Sequence, residues 1–230
     1  LELASDNVDD HGGTYGDWSR FYEESFSWNP PVESNNESLI RTWSSQYLAI
    51  ANANQVLDAL GKMEMTDKLR AAKGEALICR AYAHFVLVNI FCQQYDPNYP
   101  DDMGIPYMEK AETELDPKYE RGTVAEVYAK IEKDIEEGLP LIDDAIYSVP
   151  KYHFNRKAAY SFAARFFLYY QKWDKAAEYA SEALTNAPES QLRDYEALLE
   201  YPMNNGSTQN TAATYYISTD LPCNYLLATA

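Results

Sequence analysis

The chain has 230 residues and a mass of 26.2 kDa, enough for one sizeable core and short for two, so a single domain over residues 1–230 is expected. Nineteen Lys and Arg against thirty-six Asp and Glu leave a net charge of −17, which excludes the clustered cations that nucleic acid or an anionic membrane surface would need. Twenty Tyr, eight Phe and four Trp make up 14% of a chain whose mean hydropathy is −0.49, a large supply of flat amphipathic rings that needs an explanation.

Residues 1–37 carry Gly12-Gly13, Gly16, Pro30-Pro31 and Asn35-Asn36 among many aromatics without a sustained apolar period, which predicts loop with short local structure. Ser38 is a good N-cap, and Trp43, Tyr47, Ile50, Ala51, Leu57 and Leu60 then recur at helical spacing, with Gly61 placed as a C′ residue. A second helix starts near Thr66, where Leu69, Ala72, Ala76, Leu77, Arg80, Ala83, Leu87 and Phe91 keep the period until Pro97. The short connection makes the two an antiparallel hairpin. Residues 93–122 are a long polar excursion of a size that is uncommon without a purpose, and are flagged for function. A third helix runs from about Thr123, with Val124, Val127, Tyr128, Ile131, Ile135 and Leu139 inward, to Pro140. Asn155 caps a fourth, in which Ala159, Phe162, Ala163, Phe166 and Tyr170 face one way. Trp173 to Asn186 makes a fifth, and a weaker sixth covers Leu192 to Glu200. Tyr215-Tyr216-Ile217 is the single candidate for a short strand. No apolar run approaches the length of a membrane span, and Leu1-Glu2 does not open a signal peptide. The first residue is not Met, and the last residues show no helix stop, which suggests a segment of a longer protein.

The stretch from Gln171 to Leu184, followed by Ala187-Pro188, resembles the second half of a tetratricopeptide repeat. Trp173 would plug the gap between paired helices at the turn, while Ala176, Ala180 and Ala183 permit close approach and Pro188 stops the helix. With the helix from Asn155, residues 155–188 form one unit of repeat length, and residues 38–188 read as paired helices. The predicted fold is therefore all-α, a tetratricopeptide-like helical solenoid with irregular loop excursions. Residues 189–230 read as the start of a further irregular region.

Several blocks in order resemble the SusD/RagB family of outer-membrane glycan-binding lipoproteins. They are Ser5-Asp6-Asn7; Trp43, Tyr47, Ile50 and Ala53-Asn54; Gly74-Glu75-Ala76 with Arg80-Ala81-Tyr82; Gly104-Ile105-Pro106; Arg121 to Tyr128 with Ile131 and Asp134-Ile135; and Arg156 to Ala159 leading to Trp173. The resemblance implies a tetratricopeptide scaffold with a more irregular ligand-binding region. It also implies a glycan ligand, a lipid anchor to the outer membrane and a SusC-like TonB-dependent transporter as partner. The chain departs from the family pattern in lacking the lipidated Cys and in stopping before the long C-terminal region, so membrane association would run through an anchor that these residues do not carry. The alternative is a tetratricopeptide docking scaffold whose concave face binds a peptide.

A third class is a glycan-cleaving enzyme, for which the abundant carboxylates are neither an argument nor an exclusion. Cys79, Cys92 and Cys223 form neither a disulfide framework nor a zinc pattern and read as buried free thiols. His11, His84 and His153 share no ligand spacing, and no nucleophile, metal-protease or phosphate-loop motif is present, so neither catalytic residues nor a cofactor or metal are assigned. Asp96, Asn98, Asp101 and Asp102 crowd oxygen atoms but lack the closing Glu of a calcium loop. Asn54, Glu75 and Arg80 on apolar stripes predict a buried hydrogen-bonded network.

Trp43, Tyr47, Phe91, Tyr128, Phe162 and Phe166 fit core positions, whereas Tyr15, Trp18, Phe21, Tyr22, Phe26, Trp28, Tyr95, Tyr99 and Tyr107 fall in predicted loops. A sugar offers a face of C–H groups and a rim of hydroxyls, so it needs a flat ring beside short polar side chains. Trp18 with Tyr15 and Asp17, and Trp28 with Asn29, supply both and form the predicted ligand site. If instead Trp18 and Trp28 staple the loop onto the helices, they will be buried.

Overall fold

Side chains that satisfy free backbone N–H groups fix where the helices begin. In the computed structural model, which describes residues 20–30, 32, 38–114 and 117–184, Ser38 Oγ accepts from Arg41 N at 3.3 Å and opens α2, Leu39–Leu60. Thr66 does the same for α3, Asp67–Phe91, and Asn155 for α5, Arg156–Tyr169. α4, Val124–Gly138, starts in a full capping box: Thr123 Oγ1 accepts from Glu126 N, and Thr123 N donates to the Glu126 carboxylate. α6 is Trp173–Ala183, and α1, Arg20–Phe26, is a short helix inside the stretch expected to be mainly loop. Among the described residues the strand-like pairing is confined to one bridge between Met103 and Thr123. The expected helix at 192–200, the strand at 215–217, Pro188 and Cys223 lie outside the described residues.

α2 packs on α3, α3 on α4, and α5 on α6, the paired-helix order of the predicted solenoid. The core contains much of the apolar stripes read from the sequence, with Ile50, Leu87, Val127, Tyr128, Ile131, Ile135, Ala159 and Phe166 buried, and adds Ile78 and Phe167, which the stripes did not include. By length and composition alone α3 could cross a membrane, contrary to the sequence expectation; in the fold it is a largely buried central helix packed by both neighbours. α4 stops at Gly138, and Pro140 continues it only as a single 3₁₀ turn, Leu139–Leu141.

Three local expectations change. Gly61 caps α2 with right-handed backbone at φ −63°, so its glycine identity serves no left-handed turn. Trp173 is 60% exposed and plugs nothing. The space between α5 and α6 is closed instead by Tyr179, whose ring lies 5.2 Å from Phe167 and 5.9 Å from Tyr160. Cys79 and Cys92 are free but half-buried rather than buried.

At Gly74, α3 comes very near the end of α4 and the turn that follows it. A Cβ there would lie 2.8 Å from the Leu141 Cβ and 2.9 Å from the Gly138 carbonyl oxygen. The obstruction is backbone and cannot swing aside, so Gly74→Val is expected to destabilise the fold by about 1–3 kcal/mol through overpacking. Urea unfolding checks this, and an unchanged midpoint would mean that α3 and the turn after α4 are free to separate.

Candidate functional site

Arg80 stands on the buried face of α3 and needs compensation for every donor. Its Nε and Nη2 donate to the two carboxylate oxygens of Asp134 on α4 at 2.7 and 2.6 Å, and Nη1 donates to Asn54 Oδ1 on α2 at 2.9 Å and to the Glu109 carbonyl at 3.1 Å. Burial alone would pull the guanidinium pKa down; Asp134 outweighs it and the net shift is upward. The expected network therefore exists, but Glu75 is not part of it: Glu75 accepts from Phe154 N at 3.2 Å and lies 2.9 Å from His153 Nδ1.

Around this pair the segment Gly104 to Glu109 is strapped to the helices. Tyr47 Oη donates to the Pro106 carbonyl at 2.8 Å, Asn54 Nδ2 to the Met108 carbonyl at 3.0 Å, and Tyr107 Oη to Asp134 Oδ2 at 2.7 Å. Met108 N donates to His84 Nε2 at 3.0 Å, which leaves Nδ1–H to donate to the Arg80 carbonyl at 2.9 Å and fixes a neutral tautomer. The His84 ring stacks on Tyr107 with centroids 3.7 Å apart. Burial pushes the His84 pKa down to about 3, and burial followed by Asp134 holds Tyr107 well above the usual phenol range. Tyr95 packs against the core and stacks on Tyr128, so Tyr95 and Tyr107, read as loop rings, are structural.

Beside the strap a cleft of about 240 Å³ opens against α2, lined by Trp43, Tyr47, Ile50, Met108, Lys110 and Tyr119. A second, of about 330 Å³, continues along Tyr107 to Glu114. Sequence reasoning missed Tyr119 and Lys110; the signal was the flagged excursion itself, but which of its residues turn toward α2 is decided by the long-range bonds.

The predicted site residues divide. Tyr15, Asp17 and Trp18 lie outside the described residues. Phe21, Tyr22 and Phe26 belong to α1 rather than to loop. Trp28 and Asn29 follow α1 directly and are exposed, Trp28 to 79%, so Trp28 does not staple the segment down. Asn29 N donates to the Glu24 carbonyl at 2.8 Å and Trp28 N to the Ser25 carbonyl at 3.3 Å, the paired bonds of a Schellman ending. Trp28 takes the left-handed position at φ 57°, where glycine is the usual residue and a bulky side chain is strained. The buried Glu24 carboxylate holds the turn, accepting from Arg20 Nε at 2.6 Å and Val32 N at 3.0 Å. Tyr99 is a further ring at 64% exposure in the later excursion. Nearby Asp96 Oδ1 accepts from Asn98 N and Nδ2, and among the described residues no cluster of His, Cys, Asp and Glu could hold a metal ion.

The fold and the order of its anchors have a known counterpart. Residues 3–168 match the SusD-like family described as starch-binding and associating with the outer membrane. The chain belongs to that family. Solved SusD superfamily proteins share the fold: one from Bacteroides thetaiotaomicron at 23% identity, with TM-score 0.66 over 81% of this chain and 40% of that one. One from Bacteroides vulgatus is 25% identical with TM-score 0.66, covering 80% and 42% of the two chains. A SusD-like carbohydrate binding protein from the same species is 26% identical with TM-score 0.57, covering 75% and 35%. The chain thus spans about two-fifths of the length of these relatives. No curated protein sequence matches it significantly.

In this SusD-like chain the Arg80–Asp134 pair and His84 make two measurable claims. Asp134→Ala leaves the buried guanidinium uncompensated and is expected to cost about 3–5 kcal/mol, with Arg80→Met added to Asp134→Leu recovering part of the loss. A double variant no more stable than Asp134→Ala would remove the pair from that role. The unfolded His84 takes up a proton near pH 6.5 and the folded one only near pH 3, so stability is full above about 6.5 and declines as pH falls through that window. NMR titration checks this: a His84 ring that protonates near pH 6 in the folded protein would overturn the neutral assignment.

Proposed function

We propose that the chain captures oligosaccharides or polysaccharides at the bacterial surface without cleaving them and passes them to a SusC-like TonB-dependent transporter. In this reading the whole protein is held in the outer membrane by a lipid anchor. The family description supports carbohydrate binding at that membrane, and the name of the 26%-identical relative supports it for a protein of the same fold. A more distant SusD-like relative, 22% identical, is described as laminarin-binding.

The observation that carries the reading is Trp28. A residue that is strained in a left-handed position and still 79% exposed contributes little to folding, and its ring is open to contact with something outside the chain. Its flat face suits the C–H face of a pyranose, and Asn29 supplies donor and acceptor beside it. Tyr15, Asp17 and Trp18 are proposed to complete the surface. The docking-scaffold alternative is less favoured because polar side chains of α2 and α3 that could hold a peptide are already bonded to residues 106–109.

A glycan-array screen identifies the ligand, and outer-membrane pull-down tests the transporter: a large transporter should co-purify, and a soluble chaperone in its place would favour the docking scaffold. For a glycan that the parent binds, Trp28→Gly separates function from folding. It should raise stability by about 1 kcal/mol by relieving the left-handed strain while weakening calorimetric binding roughly three- to ten-fold. Gln171, at φ 60° in the matching position after α5, is the control, and Gln171→Gly should leave glycan affinity unchanged. Parent-level affinity in the Trp28 variant would move the site elsewhere, and product release from a labelled oligosaccharide would replace capture with hydrolysis.

A further inference from the structure

Side chains of α2 and α3 treat residues 106–109 much as a receptor treats an extended peptide. Four contacts go to the strap's main chain: Tyr47 to the Pro106 carbonyl, Asn54 to the Met108 carbonyl, Arg80 to the Glu109 carbonyl, and His84 from the Met108 amide. Strap side chains are held as well: Tyr107 bonds Asp134 and stacks on His84, Ile105 is buried in the core, and the Glu109 carboxylate accepts from Lys130 of α4 at 3.1 Å. The strap forms no regular secondary structure, and its ends are exposed at Pro97 to Asp101 on one side and at Glu112 to Glu114 on the other. Bonding of main-chain groups by helix side chains, together with two buried anchors at Ile105 and Tyr107, is the physics by which an extended peptide is recognised in a groove.

We infer that Tyr47, Asn54, Arg80, His84 and Asp134 form a binding site for an extended peptide, and that its occupant is the chain's own segment Ile105–Glu109, held as an intramolecular ligand. The inference is independent of the glycan reading. Its consequence is that the surface formed by these side chains of α2, α3 and α4 is filled in cis, at an effective concentration that a free peptide has to exceed.

The test separates the segment from the helices after folding. Protease sites placed at Asn98 and Thr113, both exposed, allow the folded full chain to be cut on either side of the strap. The excised piece should stay with the helices through gel filtration and exchange with a fluorescent synthetic peptide spanning residues 99–113, one per chain. Asn54→Ala in the cut protein should speed its release about ten-fold, since a buried carbonyl and an arginine donor each lose a partner. The uncut chain should not take up the labelled peptide. Release of the strap from helices that keep their circular dichroism would overturn the proposal. Collapse of the helical signal on cutting would overturn it equally, because the strap would then be inseparable core.

Discussion

The structure depends on one buried ion pair. Arg80 and Asp134 meet with both oxygens and two guanidinium nitrogens engaged, in a place where neither could stand alone. An ion pair taken out of water is weak evidence for stability, and its value here is positional. Asn54 brings in α2, Asp134 brings in α4, and Tyr107 and the Glu109 carbonyl bring in the strap, so four segments share one set of donors and acceptors. A shift of any one by a residue would leave a buried charge or amide unpaired, which costs more than the paired network contributes.

The pair can form only because the backbones nearby come close. Gly74 on α3 meets Gly138 on α4, and farther along α3 Arg80 meets Asp134, earlier on α4. Numbers that rise on one helix as they fall on the other make the two antiparallel. The missing Cβ at Gly74 and the ion pair are thus two points on one interface. A second tie runs from α4 to the chain around α6: Lys172 and Lys175 both donate to Glu132, at 2.6 to 2.8 Å, and Lys175 also donates to Glu136. Burial would raise the Glu132 pKa, but the two lysines outweigh it and hold the carboxyl below its ordinary range.

What the sequence made legible was local. Ser38, Thr66, Thr123 and Asn155 each satisfy amides within their own first turn, and apolar spacing of three and four reports directly on the buried face, so helix starts and core could be read from neighbours in the chain. Asn54 and Arg80 were also legible, as polar residues where an apolar stripe allows none without partners. The partners were not. Tyr47 and Pro106 are 59 residues apart, and Asn54 and Met108 are 54 apart, distances over which no periodicity carries information. That is why Tyr107 reads as a free loop ring although Asp134 and His84 fix it. Trp173 fails for a related reason. An aromatic at a helical turn is permitted to fill the gap, but Tyr179 already fills it, and only packing chooses between them. At Trp28 the composition suggested an available ring, while the strain in its backbone could be seen only in φ.

Net charge bears on what such a surface can hold. At −17 the chain repels polyanions at long range, whereas a neutral sugar is indifferent to that field and binds through ring contact and short hydrogen bonds. Ring stacking asks for a residue held out from the fold, and hydrogen-bonded straps ask for residues drawn into it. The chain separates the two demands. Tyr47, Tyr95, Tyr107 and Tyr128 are committed to the scaffold by bonds or stacking, whereas Trp28, Tyr99 and the rim ring Tyr119, along with Tyr152 and Trp173, face solvent. Residues 106–109 are bonded to α2 and α3, so a contact made to the rings at the irregular edges would not unfasten the core.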